Sequence, residues 1–311
     1  MTRRTMRWVA AVSLLAAGAA AGAQAGGGAA GAWLGLGGGA RAAAMANAMA
    51  AVADDASALF FNPAGLDQVP GTRVELTYHY PYSEFKDLAY ANGALSYNMS
   101  GRGYSLGTVA AGVNYFKASG IPAADDMGPT GRTFSDYEMA FSLGWGKGLG
   151  GDVAAGEEPK YYLGLAAKVV SSRIYEYQDG GFGLDAGIML HPLAPVRVGL
   201  AFDDIVAPNI EFIETGDVYP ATARVGASYA FTPAILAVAE GRVRKDGDAG
   251  VAFAGEVKVA KVLALRAGYR YPEARPAAGA GVAVGKYGFD FCWKPGGDLG
   301  SSLVATAAVA W

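Results

Sequence analysis

Asp136-Tyr-Glu-Met-Ala-Phe-Ser-Leu-Gly-Trp145 alternates strictly: Tyr137, Met139, Phe141, Leu143 and Trp145 fall on one face, with Asp136, Glu138 and Ser142 on the other. Period two over ten residues predicts a β-strand with two chemically different faces. The same alternation runs through Val74, Leu76, Tyr78 and Tyr80 against Arg73, Glu75 and His79, and through Phe182, Leu184, Ala186, Ile188 and Leu190 with Asp185 opposite. With each frame set by the apolar residues alone, fourteen charges take the opposite face: Arg73, Glu75, Asp136, Glu138, Lys168, Asp185, Arg197, Asp203, Arg224, Glu256, Lys258, Arg266, Arg270 and Asp290. Seven are basic and seven acidic, so the face is charged without one dominant sign, unlike an ion-selective pore.

Alternation does not say which face is inside. Fourteen candidate strands are present, at 72–80, 90–99, 104–117, 134–146, 160–174, 181–190, 195–203, 221–231, 234–243, 249–259, 262–271, 278–286, 287–293 and 302–311. A barrel that wide encloses water, where ionised side chains are tolerated, while a dry core would penalise them heavily. Aromatics at strand ends (Tyr80, Tyr82, Tyr104, Tyr115, Trp145, Tyr161, Tyr271, Trp293, Trp311) fit interfacial girdles. Connections after odd strands (81–89, 118–133, 204–220, 294–301) are mostly long and those after even strands short, with 147–159 the exception. The expectation is an all-β fold: a transmembrane antiparallel barrel of about 14 strands, apolar side chains toward membrane lipid. Strand 234–243 fits least well, because Leu236 and Val238 share a face with Glu240.

Composition agrees. The chain has 311 residues, 52% hydrophobic, 17% charged, with 46 glycines and net charge −3. The apolar content excludes disorder, and no basic footprint for nucleic acid is present. One cysteine, Cys292, and two histidines, His79 and His191, leave no zinc motif, cofactor motif or nucleophile motif, so no catalytic residue is expected. His79 reads as a hydrogen-bonded structural residue and Cys292 as lumen packing.

Residues 1–25 read as a signal peptide: Arg3, Arg4 and Arg7, an apolar run from Trp8 to Ala21, and small-residue cleavage sites around Ala23 and Ala25. An anchor helix is the competing reading, but the run is short and broken by glycine. Residues 26–71 do not alternate and form a small helical plug, with the barrel occupying 72–311. Ala42–Ala53 is good helix material, Asp54 or Asp55 caps a second helix at 56–61, Asn62-Pro63 stops it, and Gly65 turns the chain into the first strand. A metal site at Asp54-Asp55 lacks a nearby third ligand, which favours capping.

The plug segment, Gly39-Ala-Arg-Ala-Ala-Ala-Met through Ala53-Asp-Asp-Ala-Ser-Ala-Leu-Phe-Phe-Asn-Pro-Ala-Gly-Leu66, resembles the N-terminal signature of the PorV/PorQ family, relatives of FadL-type outer-membrane transporters. Leu263-Ala-Leu-Arg-Ala-Gly-Tyr-Arg270, Tyr287-Gly-Phe-Asp-Phe291, Leu299-Gly300 and the aromatic C-terminus extend the resemblance. The chain departs from it at Ala46, Met49 and Phe61, where the family usually carries Gly, an aromatic and Trp. The resemblance implies a fourteen-stranded outer-membrane barrel of a Gram-negative-type bacterium. It implies a plug motif of Arg41, Asp54, Asp55, Asn62, Pro63, Ala64 and Gly65, and recognition by the barrel assembly machinery through the strand ending at Trp311. Two functions follow from it. One is passage of a small hydrophobic ligand, with Met45, Met49, Leu59, Phe60 and Phe61 as candidate contacts. The other is a cell-surface scaffold for a secretion-system partner of type IX kind, working through loops 118–133 and 204–220.

Overall fold

The computed structural model describes residues 30–84, 87–101, 106–151, 158–212, 216–296 and 300–311. The predicted signal peptide, Tyr104 and Leu299 lie outside them. Sixteen strands occur among the described residues: β1 (Thr72–Tyr80), β2 (Leu88–Asn98), β3 (Thr108–Asp125), β4 (Gly128–Leu149), β5 (Tyr161–Ile174), β6 (Tyr177–Leu193), β7 (Val196–Val206), β8 (Asn209–Glu211), β9 (Gly216–Val218), β10 (Thr222–Thr232), β11 (Ile235–Arg244), β12 (Ala249–Ala260), β13 (Leu263–Tyr271), β14 (Arg275–Val284), β15 (Tyr287–Lys294) and β16 (Ser302–Ala310). Fourteen of them close an antiparallel barrel; β8 and β9 form a separate small hairpin between β7 and β10. Closure is made by β1 and β16, paired from Arg73↔Ala310 to Tyr80↔Leu303, and Trp311 exchanges backbone hydrogen bonds with Thr72. No barrel strand is left with an open edge, so the ladder satisfies its own polar backbone.

The faces settle the question alternation left open. Leu76, Phe141 and Leu165 are 64%, 50% and 61% exposed, whereas Glu75, Thr77, Ser142, Lys168, Glu240 and Glu256 are buried. Apolar side chains point outward and polar ones inward, the reverse of a soluble barrel. Along β11 the polar rule fails for a local reason: Leu236 and Val238 do face inward, where they pack against the plug cluster of Met45, Met49 and Phe61.

One end of the barrel, the base, carries the tight turns 194–195, 233–234, 261–262 and 285–286 and the start of β1; the other is the rim. The expected long loop at 118–133 is instead strand. β3 and β4 run on to a two-residue turn at 126–127, beyond the last pairs with their neighbours, Leu88↔Ala118 and Asp136↔Ile174. Register shifts after Ala118 and after Pro122 absorb Gly120 on β3 and Gly131 on β4. β3 begins at Thr108, its expected start at 104 lying outside the described residues, and the span expected as loop 204–220 contains β8 and β9.

The plug fills the lumen and is less helical than its alanines predict. Among its described residues only Ala40–Ala44 is α-helix; Ala32–Leu36, Ala56–Phe60 and Pro63–Gln68 are 3-10 turns. The helix ends because the wall takes its backbone groups: Arg270 donates to the Ala46 carbonyl, and Glu240 accepts from the Ala50 N–H at 2.8 Å. Ala46 and Asn47 follow with φ +53° and +56°, so Ala46 holds a left-handed conformation at a position where the resembled family carries glycine.

Candidate functional site

The plug is seated by close backbone approach and by charge. Gly164, Gly187, Gly199 and Gly268 face inward, and a Cβ at each would overlap Pro63–Ala64, Asn62, Ala50 and Met45–Ala46 respectively. Asn62 reads the wall directly: its amide donates to the Ala50 carbonyl at 2.6 Å and to the Leu200 and Ile188 carbonyls of β7 and β6 at 3.3 and 3.4 Å. Its Oδ1 accepts from Ala64 N–H at 3.1 Å, so Asn62 caps the 3-10 turn that begins at Pro63, as well as ending the one before it. Gly65 lies inside that turn, against the Ala53 carbonyl, rather than at the entry to β1.

Arg41 is the hub. Its Nη1 meets Asp54 at 2.5 Å and Asp55 at 3.0 Å, and its Nε meets Glu256 of β12 at 3.2 Å. Glu256 also accepts from Arg266 at 2.6 Å, and Arg266 continues to Asp290. On the other side Asp55 caps Ser57, whose N–H is shared with Glu75, itself held by Arg73 at 2.6 Å. The network therefore runs from β1 through the plug to β15. Burial alone would raise the Asp54 carboxyl, but the Arg41 and Arg197 charges outweigh it and hold it below the usual range. Burial would likewise lower Arg41, and Asp54, Glu256 and Asp55 overcome it.

Toward the rim lies a second cluster. Lys168 bridges Asp185 at 2.9 Å and Asp204 at 2.8 Å, while Arg224 pairs with Asp203 at 2.8 Å and lies 5.8 Å above the Phe61 ring. Asp204 escaped the alternation because β7 bulges there: Leu184 pairs with Val206 but Ala186 with Phe202, and Asp204 takes φ +58°. Two adjacent aspartates thus face inward. Above them Tyr219 links plug and wall, accepting from Trp33 Nε1 and donating to Glu138, both at 3.3 Å.

Lys168, Asp185, Asp203, Asp204, Tyr219 and Arg224 bound a rim-side cavity of about 100 Å³ together with Leu34, Leu59, Phe60 and Tyr90. Asp136 and Glu138 of β4 do not line it. On the base side is a vestibule of about 570 Å³, lined by Arg41, Asp54, Asp55, Arg73, Arg197, Glu256, Arg266 and Asp290 among others. The two cavities share no lining residue. Of the five apolar ligand candidates, Leu59 and Phe60 touch the rim-side cavity; Met45, Met49 and Phe61 are packed against Val238 and Ala252 in the plug–wall contact and line neither. His79 is buried edge-on to Tyr90 at 4.9 Å with neither ring nitrogen hydrogen-bonded, which corrects the hydrogen-bonded role expected of it. Cys292 is buried beneath Ala40, Ala43 and Ala44 of the plug helix.

No protein-family model matches the chain, and no curated protein matches it. Solved structures do resemble it. The toluene transporter TbuX of Ralstonia pickettii aligns over 88% of this chain and 98% of its own, at 13% identity and a TM-score of 0.64. The P. putida toluene transporter TodX aligns over 88% and 99%, at 12% identity and 0.63, and a Pseudomonas aeruginosa FadL homologue over 88% and 98%, at 12% and 0.62. At these identities the likeness establishes a shared fold: a closed fourteen-stranded barrel of the FadL/TodX kind.

Proposed function

We propose that this chain is a plugged outer-membrane barrel that passes small hydrophobic molecules inward, with its base toward the periplasm. The observation that carries the proposal is the plug itself, which separates a rim-side cavity from a base-side vestibule inside a wall whose outer surface is apolar. The hydrophobic-compound transporters of the same fold support it, and the Asn62-Pro63-Ala64 segment supports a PorV/FadL-like type. At about 100 Å³ the rim-side cavity is smaller than the ~150 Å³ that admits a benzene ring. Passage therefore requires the plug, which presents Leu59 and Phe60 to this cavity, to move. The test is uptake of the apolar dye 1-N-phenylnaphthylamine by cells expressing the barrel. Uptake should exceed that of cells without it, and deleting 30–68 should also admit polar solutes. Unchanged uptake in both, with a secretion defect on removing 118–133, would replace transport by the scaffold reading.

A further inference from the structure

The geometry points to a second site, independent of the transport reading: an oxyanion-binding site in the base-side vestibule, formed by Arg197, Ser228 and Lys258, for a carboxylate or phosphate group.

Seven cationic and four carboxylate side chains line this 570 Å³ space. The arginines of the hub are matched, Arg41 by three carboxylates, Arg266 by two and Arg73 by Glu75. The excess resides elsewhere. Lys258, Lys261 and Lys286 make no ion pair among the described residues, and Arg197 has only a loose contact with Asp54 at 3.5 Å. Ser228 lies directly across the ladder from Arg197, is 4% exposed, and its hydroxyl has no hydrogen-bond partner. A buried hydroxyl without a partner is costly unless something else fills the role.

The donor set matches an oxyanion. A guanidinium fork, a neutral hydroxyl and an ammonium offer several donors to an acceptor-only group, the pattern that recognises carboxylate and phosphate. Asp54 illustrates the chemistry from within the chain. Its carboxylate, one-third exposed, already stands among Arg41, Arg197 and Lys258, whose charges favour its ionised form. The vestibule is large enough for such a group with room beside it, where Leu236 and Pro195 add apolar surface. The same oxyanion could arrive as a free anion or as the head of an amphiphile.

The experiment is isothermal titration of the full barrel, in an uncharged detergent at low salt, with inorganic phosphate and separately with hexyl phosphate. Saturable binding of either probe is expected, to inorganic phosphate if free anions are the source and to hexyl phosphate alone if an alkyl tail is required. Joint replacement Arg197→Gln and Lys258→Gln should weaken it roughly tenfold or more, and Ser228→Ala by about threefold. Lys258 is exposed, so Lys258→Gln alone provides a variant whose folding is not in question. Heat-modifiable gel migration verifies folding of each. Absence of saturable binding to both probes, or equal affinity in the folded variants, overturns the site.

Discussion

Replacing Arg41 by methionine should unseat the plug while sparing the barrel. The substitution keeps the aliphatic stem and removes the guanidinium from Asp54, Asp55 and Glu256. Stripping one partner from a buried ion pair costs about 3–5 kcal/mol, because the remaining charge stays desolvated. Two features place this case at the lower end: Asp54 is one-third exposed, and Glu256 retains Arg266. About 3 kcal/mol corresponds to a roughly hundredfold rise in the unseated population. Cys292 supplies the reporter. It is the single cysteine, fully buried, and the helix carrying Arg41 covers it. When opening and closing are fast relative to labelling, the labelling rate follows the open population. A polar maleimide should therefore modify Cys292 about a hundredfold faster in Arg41→Met, by the population ratio above. Arg41→Lys should fall between, since an ammonium replaces the charge without the planar fork. Labelling within twofold of the unsubstituted protein, with heat-modifiable migration intact, would refute the hub.

Three further outcomes are expected. Gly199→Leu drives a side chain into the Ala50 backbone, so the barrel should still assemble while Cys292 labelling accelerates; a buried thiol in a folded Gly199→Leu barrel would contradict the close approach. Phe141→Arg sets a charge on the outward face and should cost about 2–4 kcal/mol, seen as a lower heat-modifiable fraction, whereas Phe141→Leu should not. The depressed Asp54 carboxyl stabilises seating fully above its unfolded value near 4, and the contribution is lost as pH falls through the lower folded value. Hydrogen exchange of plug peptides, corrected for intrinsic rate, should be flat from neutral pH down to about 5 and rise only below about 4, and Asp54→Asn should abolish that rise.

The strands were legible because lipid imposes a penalty on every outward charge, so Tyr137 to Trp145 could alternate in only one way. Legibility ended where that pressure ends. The arms of β3 and β4 run on past their last ladder pairs with β2 and β5, and Gly120, Pro122 and Gly131 read as loop although backbone pairing between the two arms continues. Leu236 and Val238 broke the pattern because the lumen at that point is filled by Met45 and Met49. Asp204 was hidden by a bulge, for which the Asp203-Asp204 pair was the one signal. The extent of helix in the plug was overread, since alanine propensity says nothing of wall groups such as Arg270 and Glu240 that capture its backbone. The wall charges of the hub were all legible on their strands; which of them meet Arg41 depends on the seating of the plug, which no local pattern encodes.

Movement of the plug during passage is the central claim, and a reversible lock tests it. A Cβ at Gly226 would lie 3.4 Å from that of Ala51, close to the 3.5–4.5 Å separation of a disulfide. Cysteines at both positions, with Cys292→Ala, should tie plug to wall under oxidising conditions. The account predicts that dye uptake by cells carrying the oxidised protein falls to that of cells without the barrel and recovers on adding dithiothreitol. Undiminished uptake with the disulfide demonstrably formed would show that passage proceeds with the plug fixed, and would contradict the account.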